Sequence, residues 1–127
     1  MLHHASLPVA DLRQSSKLYD AALSTLGYRQ VCSGKGFVGY GIEDNKDKFS
    51  IKAVNTARSA GAGFHLAFSA PSTDAVNQFH AAAILNGATD DGAPGYREHY
   101  GPYYYAAFIV DLDGHRIEAV INENSSD

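Results

Sequence analysis

Apolar and polar side chains alternate from Leu2 to Val9, which predicts a β-strand with His3, Ala5, Leu7 and Val9 on one face and His4, Ser6 and Pro8 on the other. The alternation separates two adjacent histidines and puts His4 on the polar face. The period then changes. Asp11, with Gln14 three residues later, reads as a capping box, and Leu12, Tyr19, Leu23 and Leu26 hold helical spacing until Gly27 ends it. Short strands are predicted at Tyr28 to Cys32, Gly36 to Tyr40 and Phe49 to Val54, divided by Ser33-Gly34-Lys35-Gly36 and by a charged turn from Glu43 to Asp47. The first half reads βαβββ.

Asn55 to Gly63 is small, polar and glycine-bearing, a connection between modules. Alternation resumes with Phe64, Leu66, Phe68 and Ala70 on one face and His65, Ala67 and Ser69 on the other. Ser72 is placed to cap a second helix whose buried stripe is Val76, Phe79 and Ala83, ending at Gly87. Gly92 to Pro102 reads as turn-rich. Tyr103 to Val110 and Arg116 to Ile121 are the last predicted strands, joined by a tight turn over Asp111 to Gly114, and Asn122 to Asp127 is expected to fray. Taken together, the chain predicts an α+β fold of two tandem βαβββ modules forming a half-barrel cup. It makes one domain over 1–127, with module 1 at about 1–54, a linker at about 55–63 and module 2 at about 64–122.

The two halves also match residue by residue. At an offset of 61 positions, His4 falls on His65, Leu18 on Phe79 and Ala21 on Ala82. At an offset of 66, Ser50-Ile-Lys52-Ala-Val54 falls on Arg116-Ile-Glu118-Ala-Val120, so Lys52 and Glu118 occupy equivalent slots. With helices covering one face of each sheet, His4, Ser6, Lys52, His65, Ala67 and Glu118 would line a shared cup. Two imidazoles and a carboxylate are divalent-metal ligands. The alternative is a metal-free pocket in which Lys52 pairs with Glu118.

Composition narrows the function classes. Ten Lys plus Arg against fourteen Asp plus Glu give a net charge of -4, the wrong sign for a phosphate-backbone binder, so no nucleic-acid partner is expected. No apolar run approaches the ~20 residues of a membrane span, so no membrane partner is expected either, and the single Cys32 suggests a reducing, cytoplasmic setting. Five tyrosines, Arg97 and His99 crowd the stretch from Pro94 to Tyr105. There Arg97 can anchor an anion, while Tyr100 or Tyr103 can give a proton. His80 and His115 read as structural, and Cys32 lacks the basic surroundings of a nucleophile.

His4 followed by Leu7-Pro-Val-Ala-Asp-Leu12, Phe37-Val-Gly-Tyr-Gly41, Gly63-Phe-His65-Leu-Ala-Phe, and Phe108-Ile-Val-Asp-Leu-Asp-Gly-His-Arg-Ile-Glu118 together resemble the vicinal oxygen chelate superfamily, the group of glyoxalase I, extradiol dioxygenases and the fosfomycin and bleomycin resistance proteins. The resemblance runs from Leu2 to Ile121. It implies metal ligands at His4, His65 and Glu118 and one divalent ion, Zn, Ni, Mn or Fe. Glyoxalase I proteins carry a fourth ligand where this chain has Lys52, a departure that argues against glyoxalase chemistry. The expected function is a metal-dependent lyase, isomerase, dioxygenase or thiol transferase acting on a small oxygenated substrate. Glu118 and Tyr103 would be catalytic, with Lys52, Arg97 and Tyr100 binding substrate. The alternative is metal-free sequestration of a small molecule, as in bleomycin resistance. Half-open sheet edges, and the habit of related small proteins, imply a homodimer.

Overall fold

The computed structural model describes residues 1–124. Module 1 consists of β1 (Ala5–Val9), α1 (Leu12–Ser24), β2 (Arg29–Gly34), β3 (Phe37–Glu43) and β4 (Lys46–Ala53). Module 2 repeats the plan with β5 (Leu66–Ser69), α2 (Thr73–Leu85), β6 (Thr89–Tyr96), β7 (Tyr104–Val110) and β8 (Arg116–Asn122), plus one 3₁₀ turn at Glu98–Tyr100. The sheet orders are β1-β4-β3-β2 and β5-β8-β7-β6, with β1 parallel to β4, β5 parallel to β8, and the remaining pairs antiparallel. Two α+β modules of identical topology result.

Each helix is punctuated as the side chains require. Asp11 Oδ1 accepts the amide of Gln14 at 3.1 Å, and Ser72 Oγ accepts that of Ala75 at 3.0 Å, satisfying amides that have no partner inside the helix. Gly27 at φ 94° and Gly87 at φ 102° then turn the chain out of each helix through the left-handed region. Leu18, Tyr19, Ala22 and Leu23 on α1 are buried, as are Val76, Phe79 and Ala83 on α2.

Both helical stripes enter one core. It joins Leu7 and Val9 of β1 and Phe49 and Ile51 of β4 to Ile117 and Ala119 of β8. Phe49 of module 1 meets Phe68 of module 2 edge to face, ring centres 5.1 Å apart. Polar bonds cross the same seam. Tyr19 Oη donates to Asp111 Oδ2 at 2.6 Å, His115 Nε2 donates to the carbonyl of Pro8 at 2.7 Å, and the amide of Ala10 donates to Asp113 Oδ1 at 2.9 Å. Since the core takes up alternate residues of each strand, the residues between them form the opposite, concave face.

Several boundaries differ from the sequence expectation. β1 starts at Ala5, not Leu2, so His3 and His4 precede the sheet and lie outside its alternation. β3 and β4 reach almost to each other, because Asn45 at φ 64° closes their hairpin between Glu43 and Lys46. The stretch from Thr89 to Tyr96 is a full strand although it holds Gly92, Pro94 and Gly95. As the outer strand of its sheet it tolerates them, with register shifts on both sides of Gly92. Asn122 closes β8, and the fraying expected further on falls partly on 125–127, outside the described residues. Among the described residues no helix is long and apolar enough to cross a membrane.

Candidate functional site

The concave face of module 2 is organised around Glu118. Ala67 of β5 and Phe108 of β7 stand opposite it across the sheet, and Tyr104 and Ala106 share its face further along β7. Glu118 is 1% exposed, so its carboxylate has left water, and a buried charge without partners costs several kcal/mol. Two partners satisfy it. Tyr104 Oη donates to Oε2, and His65 Nε2, reaching over from just before β5, lies 3.1 Å from Oε1. Burial, and then the bond to Glu118, push the Tyr104 phenol up to about 12. It therefore keeps its proton at neutral pH and acts toward Glu118 as a donor.

The separation between His65 and Glu118 bears on metal binding. Two ligand atoms at the usual 2.0–2.2 Å from a divalent ion, subtending 90–109°, stand about 2.8–3.6 Å apart. The observed 3.1 Å between Nε2 and Oε1 falls in that range, so the pair fits two neighbouring ligand positions of one ion. A third ligand does not join them within one chain: among the described residues no three His, Cys, Asp or Glu side chains form a metal-sized group. His4 lies elsewhere. Its Nδ1 is 2.9 Å from Nδ1 of His3, and it lines an apolar cavity of about 290 Å³ at the seam, together with Ala67, Phe68 and Lys48 but without His65 or Glu118.

Lys52 is exposed on the concave face of module 1, level with Pro8 and Phe37. Among the described residues no carboxylate lies within ion-pair reach of it, Glu118 included. Arg97 follows β6 and folds back over Phe108, its guanidinium carbon 5.3 Å from the ring centre. Tyr100 packs between His99, at 4.1 Å, and Tyr104, at 5.1 Å, and so stands beside the Glu118 cluster. Tyr103 does not. It borders a separate cavity of about 620 Å³ with Tyr96, Ser72 and Glu123, while Tyr105 turns to the helix side and donates to Asn77 at 2.6 Å.

Tyr104 takes the place that the sequence reading gave Tyr103, and the reason is a register. Five residues, Asp111 to His115, separate β7 from β8, and the loop is closed by the amide of Asp111 on the carbonyl of His115 and by Asp111 Oδ1 accepting the amides of Asp113 and His115. Tyr104 therefore pairs with Asn122 and faces Glu118, since a one-residue slip exchanges the faces of a strand. The remaining candidates are structural. His80 Nε2 sits 2.9 Å from Asp90 Oδ1 between α2 and β6, His115 is buried in the seam, and the Cys32 thiol is pushed up by burial and by Asp47.

No protein-family profile matches the chain, and no curated protein does. Solved structures do match. A glyoxalase/bleomycin resistance protein from Albidiferax ferrireducens is 34% identical, covers 93% of this chain and 95% of its own, and superposes with a TM-score of 0.80. A putative glyoxalase from Bacillus halodurans shows 25% identity, 94% of each chain covered and a TM-score of 0.69. The fosfomycin resistance protein FosX from Mesorhizobium loti, at 18% identity, 99% and 95% coverage and a TM-score of 0.66, shares the fold.

Proposed function

This chain belongs to the glyoxalase/bleomycin resistance/dioxygenase family of the vicinal oxygen chelate superfamily, and we propose that within it the protein is a divalent-metal-dependent enzyme acting on a small oxygenated substrate. The observation that carries this reading is the buried Glu118 carboxylate with His65 Nε2 at 3.1 Å, on the face of its sheet opposite the core. In this reading His65 and Glu118 hold the ion through Nε2 and Oε1, and His4 of a second copy is the third ligand. His4 and His65 immediately precede the outer strands β1 and β5, and in this reading these are the edges at which two copies would meet.

When bound, the ion would polarise a substrate carbonyl or stabilise an enolate. The chain's own groups do the rest. Tyr104 keeps its proton on Oη and holds Oε2 of Glu118, leaving Oε1 directed toward His65. Phe108 stands beside Glu118 on the same face and Tyr100 packs on Tyr104, where both would contact a bound substrate. The reaction class, lyase, isomerase, dioxygenase or thiol transferase, depends on which group of the substrate faces Tyr104 and Tyr100.

The metal-free alternative, a small-molecule binder of the bleomycin-resistance kind, draws support from Lys52, an ammonium in the slot equivalent to Glu118. Elemental analysis separates the two. Protein purified without chelators is expected to carry a divalent metal that His65→Ala and Glu118→Ala lose. Wild-type protein that stays metal-free after incubation with Zn, Ni, Mn or Fe would favour the binder.

A further inference from the structure

We propose that Arg97 is a built anchor for an oxyanion on the substrate, so that the site takes a small organic acid rather than a neutral carbonyl compound. This rests on the reading above that the substrate occupies the concave face of module 2. The guanidinium is held there from three directions. Nη1 donates to the carbonyl of Gly95 at 2.9 Å, Nη2 donates to the carbonyl of Ala93 at 2.6 Å, and the Phe108 ring lies beneath at 5.3 Å.

The bed exists because two side chains are missing. A Cβ at Gly92 would stand 2.9 Å from Phe108 Cδ2 and 3.2 Å from Arg97 Nη2, and one at Gly95 would stand 3.2 Å from Nη1. Glycines at both positions let the fork lie flat against the sheet. Two of its five N–H donors are used by the carbonyls, and three remain. No carboxylate lies within ion-pair reach of Arg97 among the described residues, whereas Arg116 has Asp91 at 2.7 Å and Arg29 has Asp44 at 2.8 Å. A half-buried, immobilised and uncompensated guanidinium matches a carboxylate or phosphonate through paired N–H···O bonds.

Position sets the size of the ligand. Phe108 is the register neighbour of Glu118, and Gly92 is the register neighbour of Phe108. The positive charge is thus displaced from the carboxylate by one to two strand spacings, ~5–10 Å. Ala106 and Phe108 make the ground between them apolar. The ligand class is a short acid whose oxyanion sits at Arg97 while its other oxygens reach the His65–Glu118 pair.

Calorimetric titration with phenylacetate, phenylphosphonate and the neutral phenylacetamide tests this on wild type, Arg97→Met, Arg97→Lys and Glu118→Gln. Wild type should bind the two acids about 10–100-fold more tightly than the amide, Arg97→Met should lose that preference, and Arg97→Lys should keep part of it. Glu118→Gln should retain it, because the anchor is separate from the metal pair. If Arg97→Met fails to fold, the wild-type comparison decides alone: equal affinity for acid and amide overturns the proposal. So does acid binding that vanishes in Glu118→Gln but survives in Arg97→Met, which would put the oxyanion on the metal side. Metal content that ignores His65→Ala would instead overturn the metal reading and leave the Arg97 result standing.

Discussion

Tyr104 Oη donates to Oε2 of Glu118, and this one bond fixes which carboxylate oxygen is left for His65. A carboxylate held on one oxygen is offered to a ligand through the other, and partners of this kind orient metal-binding groups. Tyr104→Phe removes the hydroxyl and little else. It should weaken divalent-metal binding by ~10–100-fold. It should also cost ~1–3 kcal/mol of unfolding free energy, the penalty of a buried acceptor left short of a donor. Calorimetry with Zn or Mn and urea denaturation measure the two effects. A variant with wild-type metal affinity would make Tyr104 a packing residue only.

Lys52 offers a charge test. Among the described residues it has no carboxylate partner, and it occupies the slot equivalent to Glu118, so in an assembled site its ammonium would repel a bound cation. Lys52→Glu should tighten divalent-metal binding. Affinity that does not change would place Lys52 away from the ion.

Two buried phenols should make the protein sensitive to alkali, Tyr19 at the seam between the modules and Tyr40 within module 1. Burial, followed by Asp111, raises the Tyr19 phenol well above its ordinary value, and burial, followed by Asp20, raises that of Tyr40. Both protons are held more tightly in the folded chain than in the unfolded one. Their stabilisation is therefore complete below the unfolded phenol value of about 10 and is lost as pH rises above it. Urea midpoints should fall steeply above about pH 10, and less steeply in Tyr40→Phe. Parallel curves for the two proteins would show that Tyr40 carries no linkage.

Much of the fold was legible because its cues are local. Asp11 and Ser72 cap the helices that they announce, and the pairing of His4 with His65 and Lys52 with Glu118 anticipated two modules of one topology. The strand from Thr89 to Tyr96 was not legible, since glycine and proline at an outer strand look like a turn. The fold also brings His65 and Glu118 together, as the spacing suggested. Tyr104 escaped because strand alternation alone does not say which of Tyr103 and Tyr104 shares the face of Glu118; the pairing of Val110 with Arg116 decides it, held by Asp111 side-chain bonds that the sequence does not display. His4 was placed by strand alternation, but the strand begins at Ala5.

The central claim is that His65 and Glu118 of one copy and His4 of another hold a single metal ion. Mixing two defective chains tests it most directly. His4→Ala and Glu118→Ala are each expected to bind little metal alone. Refolded together, the isolated heterodimer combines one site that carries both defects with one that carries neither, so it should bind about one ion. A heterodimer that binds none, while wild type is fully loaded, would place all ligands within one chain and contradict the account.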